Sequence, residues 1–127
     1  MTAHPHIIRN IPRGKVPVEQ GHSMRDWSQR TYEKVSEQKK THTPSYRSNR
    51  LSIEEVRQHN TPEDLWIVIH NVVYDCTEFV RYHPGGKKLL YACGGREATA
   101  VYDAFHPWIN CETMMEGYAV GVVDNKL

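Results

Sequence analysis

A chain of 127 residues is long enough for one domain with a real core and too short for two. Its net charge of +1 hides an asymmetry: residues 1–50 carry ten Lys/Arg against four Asp/Glu, and residues 51–127 carry six against eleven, the pattern of a basic arm beside a separately folded acidic unit. Three cysteines without a C-x-x-C pair argue against a disulfide framework and a zinc site, and no run of about 18 apolar residues or signal-peptide core occurs. The expectation is a soluble, reduced, intracellular protein. The scattered basic charges suit a solvated tail better than a nucleic-acid surface.

Residues 1–22, with prolines 5, 12 and 17 and glycines 14 and 21, have no sustained period and read as an extended lead-in. Ser23 then stands as an N-cap, and Met24, Trp27, Thr31 and Val35 recur at helical spacing, predicting a short amphipathic helix over 23–38. The polar segment "THTPSYRSNR" reads as a linker or surface strap. The domains expected are therefore a basic arm over 1–50 and a folded unit over 51–127.

From Leu51 the texture changes. Ser52 with Glu55 three residues later is a capping box opening a short helix. "LWIVIHNVVYDC" predicts two strands joined by a turn at His70-Asn71. "TEFVRYH" follows as one or two helical turns, then a helix from Lys87 to Cys93 stopped by Gly94-Gly95. "REATAVYDAF" and "INCETMMEGY" give two more helices, and "AVGVV" a closing strand.

In "RYHPGG" a histidine is held between an aromatic and a proline, and two glycines permit close backbone approach to something bulky. A second histidine, His106, ends the "REATAVYDAF" helix 23 residues later. Phe79, Leu90, Tyr102, Phe105, Trp108 and Met115 supply apolar surface around both. Two imidazoles facing each other across a flat apolar slot is what an iron porphyrin requires. Met114 and Met115 read as core packing, with methionine ligation a minor alternative, and the cysteines as small buried hydrophobes.

On the strength of "WIVIHNVVYDCTEFVRYHPGG", the glycine pair followed by "EAT", and His106, the stretch from about Leu51 to Val123 resembles the cytochrome b5 haem domain. That resemblance implies an α+β fold with a small mixed sheet and two helical hairpins enclosing haem b. It implies His83 and His106 as axial iron ligands, and Ile69, Cys76, Phe79, Pro84, Leu90, Tyr102, Phe105, Met115 and Tyr118 as pocket lining. Trp108 in "FHPWIN", and a spacing between ligands one residue shorter than in the common microsomal members, are similar to the haem domain of soluble multidomain cytochrome b5 reductases. "GKVPVEQGHSMRDW" looks like the segment those proteins place ahead of that domain.

The resemblance further implies a one-electron carrier. Its partners would be a flavin-dependent reductase domain, on the same or a separate chain, and an unidentified acceptor, with no nucleic acid and no membrane insertion. The location would be cytoplasmic, with or without attachment to the endoplasmic reticulum. No nucleotide-binding fingerprint occurs in this stretch, so catalysis is not expected of it alone. The alternative is a b5-like ligand-binding module without electron transfer, whose relatives lack the histidine pair. Arg81, Lys87, Lys88 and Arg96, close in sequence to the ligand loops, predict a mixed rather than acidic docking face.

Overall fold

The computed structural model describes residues 19–83, 87–105 and 110–123. Its architecture is α+β. Five strands, β1 (Arg50–Leu51), β2 (Asn60–Thr61), β3 (Asp64–Ile69), β4 (Val72–Asp75) and β5 (Ala119–Val123), form one sheet in the order β1-β5-β4-β3-β2. β1 runs parallel to β5 and the other pairings are antiparallel. The β3–β4 hairpin closes through His70 and Asn71, with φ of 49° and 66°, the positive pair that a two-residue turn matched to strand twist demands.

Both faces of this sheet are covered. Leu65 and Ile67 of β3 and Val72 and Tyr74 of β4 point into the larger core. Val68 and Val73 point the other way, into a smaller core with Val56. Strand alternation would turn Ala119 and Val122 to opposite faces, yet both pack on the larger core. A register shift against Val73 and Tyr74 absorbs one residue of β5 and restores the side. β1 approaches β5 so closely that a Cβ on Gly121 would lie 2.7 Å from the Asn49 carbonyl oxygen.

The helices are α1 (Met24–Lys40), α2 (Ile53–Arg57), α3 (Lys87–Ala92), α4 (Thr99–Phe105) and α5 (Cys111–Met114), with two 3-10 turns, η1 (Tyr46–Ser48) and η2 (Phe79–Tyr82). α1 begins as the sequence indicates. Ser23 accepts from the Asp26 backbone N–H, and the Asp26 carboxylate accepts from the Ser23 backbone, closing a capping box. Ser52 caps α2 in the same way, by accepting from the Glu55 N–H. The segment read as a linker contributes η1 and β1, and β1 starts one residue earlier than the expected unit. No described helix is long and apolar enough to cross a membrane.

α1 lies on the larger core. Trp27 is fully buried, its ring 4.9 Å from Phe79, 5.1 Å from Tyr82 and 4.6 Å from Tyr118, and its indole N–H donates to the Met114 carbonyl at 2.8 Å. One turn further along α1, the Thr31 hydroxyl is buried without a hydrogen-bond partner. Leaving such a group unpaired costs about 1–3 kcal/mol, so Thr31→Val, which keeps the shape and removes the hydroxyl, is expected to stabilise the fold by about 1 kcal/mol. Thermal denaturation checks the sign; a lower melting temperature would mean that the hydroxyl has a partner in solution.

Candidate functional site

Between the sheet and the helices lies a cleft of about 160 Å³. β3 and β4 supply its floor through Ile67, Ile69, Tyr74 and the following Cys76. η2 supplies one wall with Phe79 and His83. α3 and α4 contribute Leu89, Leu90, Val101, Tyr102 and Phe105, and α5 closes the far end with Cys111, Met114 and Met115.

His83 is the C-cap of η2. Its backbone N–H reaches the Val80 carbonyl at 3.4 Å, the residue is 8 % exposed, and its ring meets Phe79 edge-on at 5.7 Å. No acidic or basic side chain other than this imidazole lines the cleft among the described residues. A buried nitrogen donor in an otherwise apolar slot fits an iron macrocycle: the slot takes the flat hydrocarbon surface and the imidazole the metal.

α4 approaches the same space from the other side. It is tied to the hairpin turn, where the Thr99 hydroxyl accepts from the His70 backbone N–H at 2.8 Å and Asp103 meets His70 Nε2 at 3.0 Å. The Ala98 N–H also donates to the Val68 carbonyl at 2.8 Å. Phe105, its last residue and the one before His106, lines the cleft. His106, Pro84 and Trp108 lie outside the described residues.

Of the residues expected to line the site, Ile69, Cys76, Phe79, Leu90, Tyr102, Phe105 and Met115 do so. Tyr118 is not among the residues lining the cleft: it follows Gly117, whose φ is +91°, and its ring packs on Trp27 with the Lys34 amino group 4.5 Å above it. Among the lining residues missed at the sequence level are Ile67, Tyr74, Leu89, Val101 and Cys111, while Met24 reaches the cleft from α1. Period-two stepping back from Ile69 and Cys76 leads to Ile67 and Tyr74, so part of that signal was present.

All three cysteines are buried free thiols on the cleft. Burial raises each: Cys93 to about 11, Cys111 to about 12, and Cys76 well above its ordinary value. The hydroxyls of Tyr74 and Tyr102 hydrogen-bond the Cys111 sulfur and partly offset its burial. The three therefore stay protonated at neutral pH. Folded values above the unfolded value of about 8.5 give stability that is fully present below that pH and lost as pH rises toward 11–12. The melting temperature is thus expected to fall between pH 9 and 11, and less steeply in Cys93→Ala/Cys111→Ala; equal slopes would place the effect elsewhere.

Of Arg81, Lys87, Lys88 and Arg96, Arg96 is half-buried and the first three are exposed, Arg81 also pairing with Glu19 at 2.7 Å. That pair also draws the Glu19 carboxyl below its ordinary range.

Residues 52–124 match the family model described as Cytochrome b5-like Heme/Steroid binding domain. The chain is 37% identical over 114 residues to cytochrome b5 reductase 4 of Xenopus tropicalis, which covers 90% of this chain and 21% of that one. It is 44% identical over 74 residues to cytochrome b5 of Rhizopus stolonifer, covering 58% of this chain and 56% of that one. Among solved structures it is similar to the cytochrome b5 of Ostreococcus tauri virus 2, at 37% identity and a TM-score of 0.50 over 59% of this chain and 96% of that one. The chain spans about a fifth of the length of the reductase it matches, and that match, covering 90% of the chain, takes in α1 as well as the cleft. With more than half of its residues matched, this chain belongs to the cytochrome b5-like Heme/Steroid binding domain family.

Proposed function

We propose that this domain carries single electrons through a haem b held by His83 and His106, between a flavin-dependent reductase domain and an acceptor. The observation that carries the reading is the buried imidazole of His83 on the wall of an apolar cleft. The similarity to cytochrome b5 reductase 4 over 90% of the chain supports a reductase as the electron source. The domain works in the cytoplasm, on the same chain as that reductase or on a separate one.

When bound, haem b would supply a one-electron couple; His83 and His106 would hold its iron, and an iron held by both would have no position left for oxygen or substrate. The chain's own residues do the rest. His83, packed edge-on against Phe79, would hold the iron from the wall of the cleft. Ile67, Ile69, Val101 and Phe105 line the cleft and would exclude water from a bound macrocycle. The protonated thiols add no charge to the cleft, so the charge balance at the iron is left to the metal and its ring.

The apolar lining by itself also suits a steroid-like ligand, which would need no iron and give no haem spectrum. The deciding experiment is the absorbance spectrum of purified, dithionite-reduced protein, followed by acid-butanone extraction. A noncovalent haem is expected to leave with the solvent, because no C-x-x-C-H attachment motif is present. Colour that stays with the polypeptide, or protein reconstituted with hemin that shows no haem spectrum, would overturn the proposal.

A further inference from the structure

The turn that carries His83 is poorly held by its own backbone. Within and around η2 the hydrogen bonds are long: Val80 N to Cys76 O 3.3 Å, Arg81 N to Glu78 O 3.4 Å and His83 N to Val80 O 3.4 Å, beyond the usual range for N–H to O. What holds the turn is the segment containing α1. Arg30 grips Glu78 at 2.9 Å, Glu19 grips Arg81 at 2.7 Å, and the His22 ring lies 4.8 Å from Tyr82. These are exposed contacts, and exposed ion pairs contribute little.

Trp27 is different in kind. It is fully buried, it packs on Phe79 and Tyr82 together, and Phe79 packs edge-on against the His83 ring. Its indole N–H is fixed to the Met114 carbonyl, and Met114 also lines the cleft. A single side chain thus ties the wall bearing the imidazole to the wall made by α5. Buried aromatic pairs contribute beyond their area because their relative orientation is fixed.

We propose that Trp27 is a positioning residue for the His83 imidazole, acting through Phe79, so that α1 sets how tightly the cleft retains haem. The inference rests on the reading of His83 as an iron ligand given above. Groups that orient a metal ligand typically change metal affinity by about 10–100-fold when removed, whereas a core residue remote from the ligand lowers stability without that effect.

The test measures haem transfer to excess apomyoglobin from the full 127-residue chain, at a temperature where circular dichroism shows every variant folded. Trp27→Leu is expected to release haem about tenfold faster than wild type. Val56→Ala is the control: Val56 is fully buried in the smaller core on the far side of the sheet, and this variant should melt lower yet release haem at the wild-type rate. Trp27→Leu and Phe79→Leu should be non-additive, since the first acts through the second. If Trp27→Leu does not fold, Trp27→Phe, which keeps a ring and loses the bond to Met114, carries the test with an expected increase of about threefold. Release no faster than in Val56→Ala, or rates that multiply in the double variant, would overturn the inference. His83→Ala separates it from its premise: if that variant releases haem at the wild-type rate the ligand reading fails, and if it loses haem while Trp27→Leu does not, only the role of Trp27 fails.

Discussion

Replacing His83 by alanine is expected to weaken haem retention by at least about 10–100-fold, the range seen when even indirect support of a metal ligand is lost. The reduced variant should take up carbon monoxide rapidly, whereas in the wild type an imidazole must leave first and uptake should be slow. The physical reason is the composition of the cleft. Apolar contact holds a macrocycle without fixing its metal, and among the described lining side chains no other imidazole, amine or carboxylate can serve as an iron ligand. The thiols cannot take over easily, since burial keeps them protonated. His106→Ala should behave alike. Haem content per polypeptide after gel filtration, with stopped-flow carbon monoxide binding, measures both effects. Full retention by His83→Ala with slow uptake would mean that the residue is an ordinary core histidine.

Those expectations start from parts of the chain whose local signals agree with their packing. The β3–β4 hairpin was legible because β-branched runs flank a dipeptide that tolerates positive φ at both positions. α1 was legible because Ser23, Asp26 and the spacing of Trp27 and Thr31 act within a few residues of each other. The extended backbone of His83 was legible because a following proline disfavours the helical region for the residue before it.

What the sequence obscured depends on contacts between distant residues. β1 is two residues long and exists through pairing with Val122 and Val123, some seventy residues away, so its local composition reads as a linker. β2 is equally short and owes its pairing to β3. The place of Tyr118 turned on a left-handed Gly117 and on the ring of Trp27, some ninety residues earlier in the chain. The apolar stripe of Met24 and Trp27 predicted that α1 docks on the core, and α1 folds back over it so that Met24 lines the cleft.

That folding back carries the second large expectation: a chain beginning at Leu51 should melt roughly 10–20 °C lower than the full protein and still give the same haem spectrum. Truncation removes Trp27, whose burial is complete and whose ring touches three aromatic neighbours. Deleting a tryptophan of that kind costs about 3–5 kcal/mol. It also removes Asn49, whose side chain donates to the Val120 carbonyl at 2.7 Å and whose carbonyl accepts from Val122 at 2.9 Å, so the β5 edge loses support too. Neither histidine is removed, and a ligand set fixes the absorption bands more directly than the stability of the surrounding fold does. The two readouts therefore separate. An unchanged melting temperature would make the first fifty residues a tail despite their contacts, and a changed spectrum would mean that α1 reaches the iron ligands themselves.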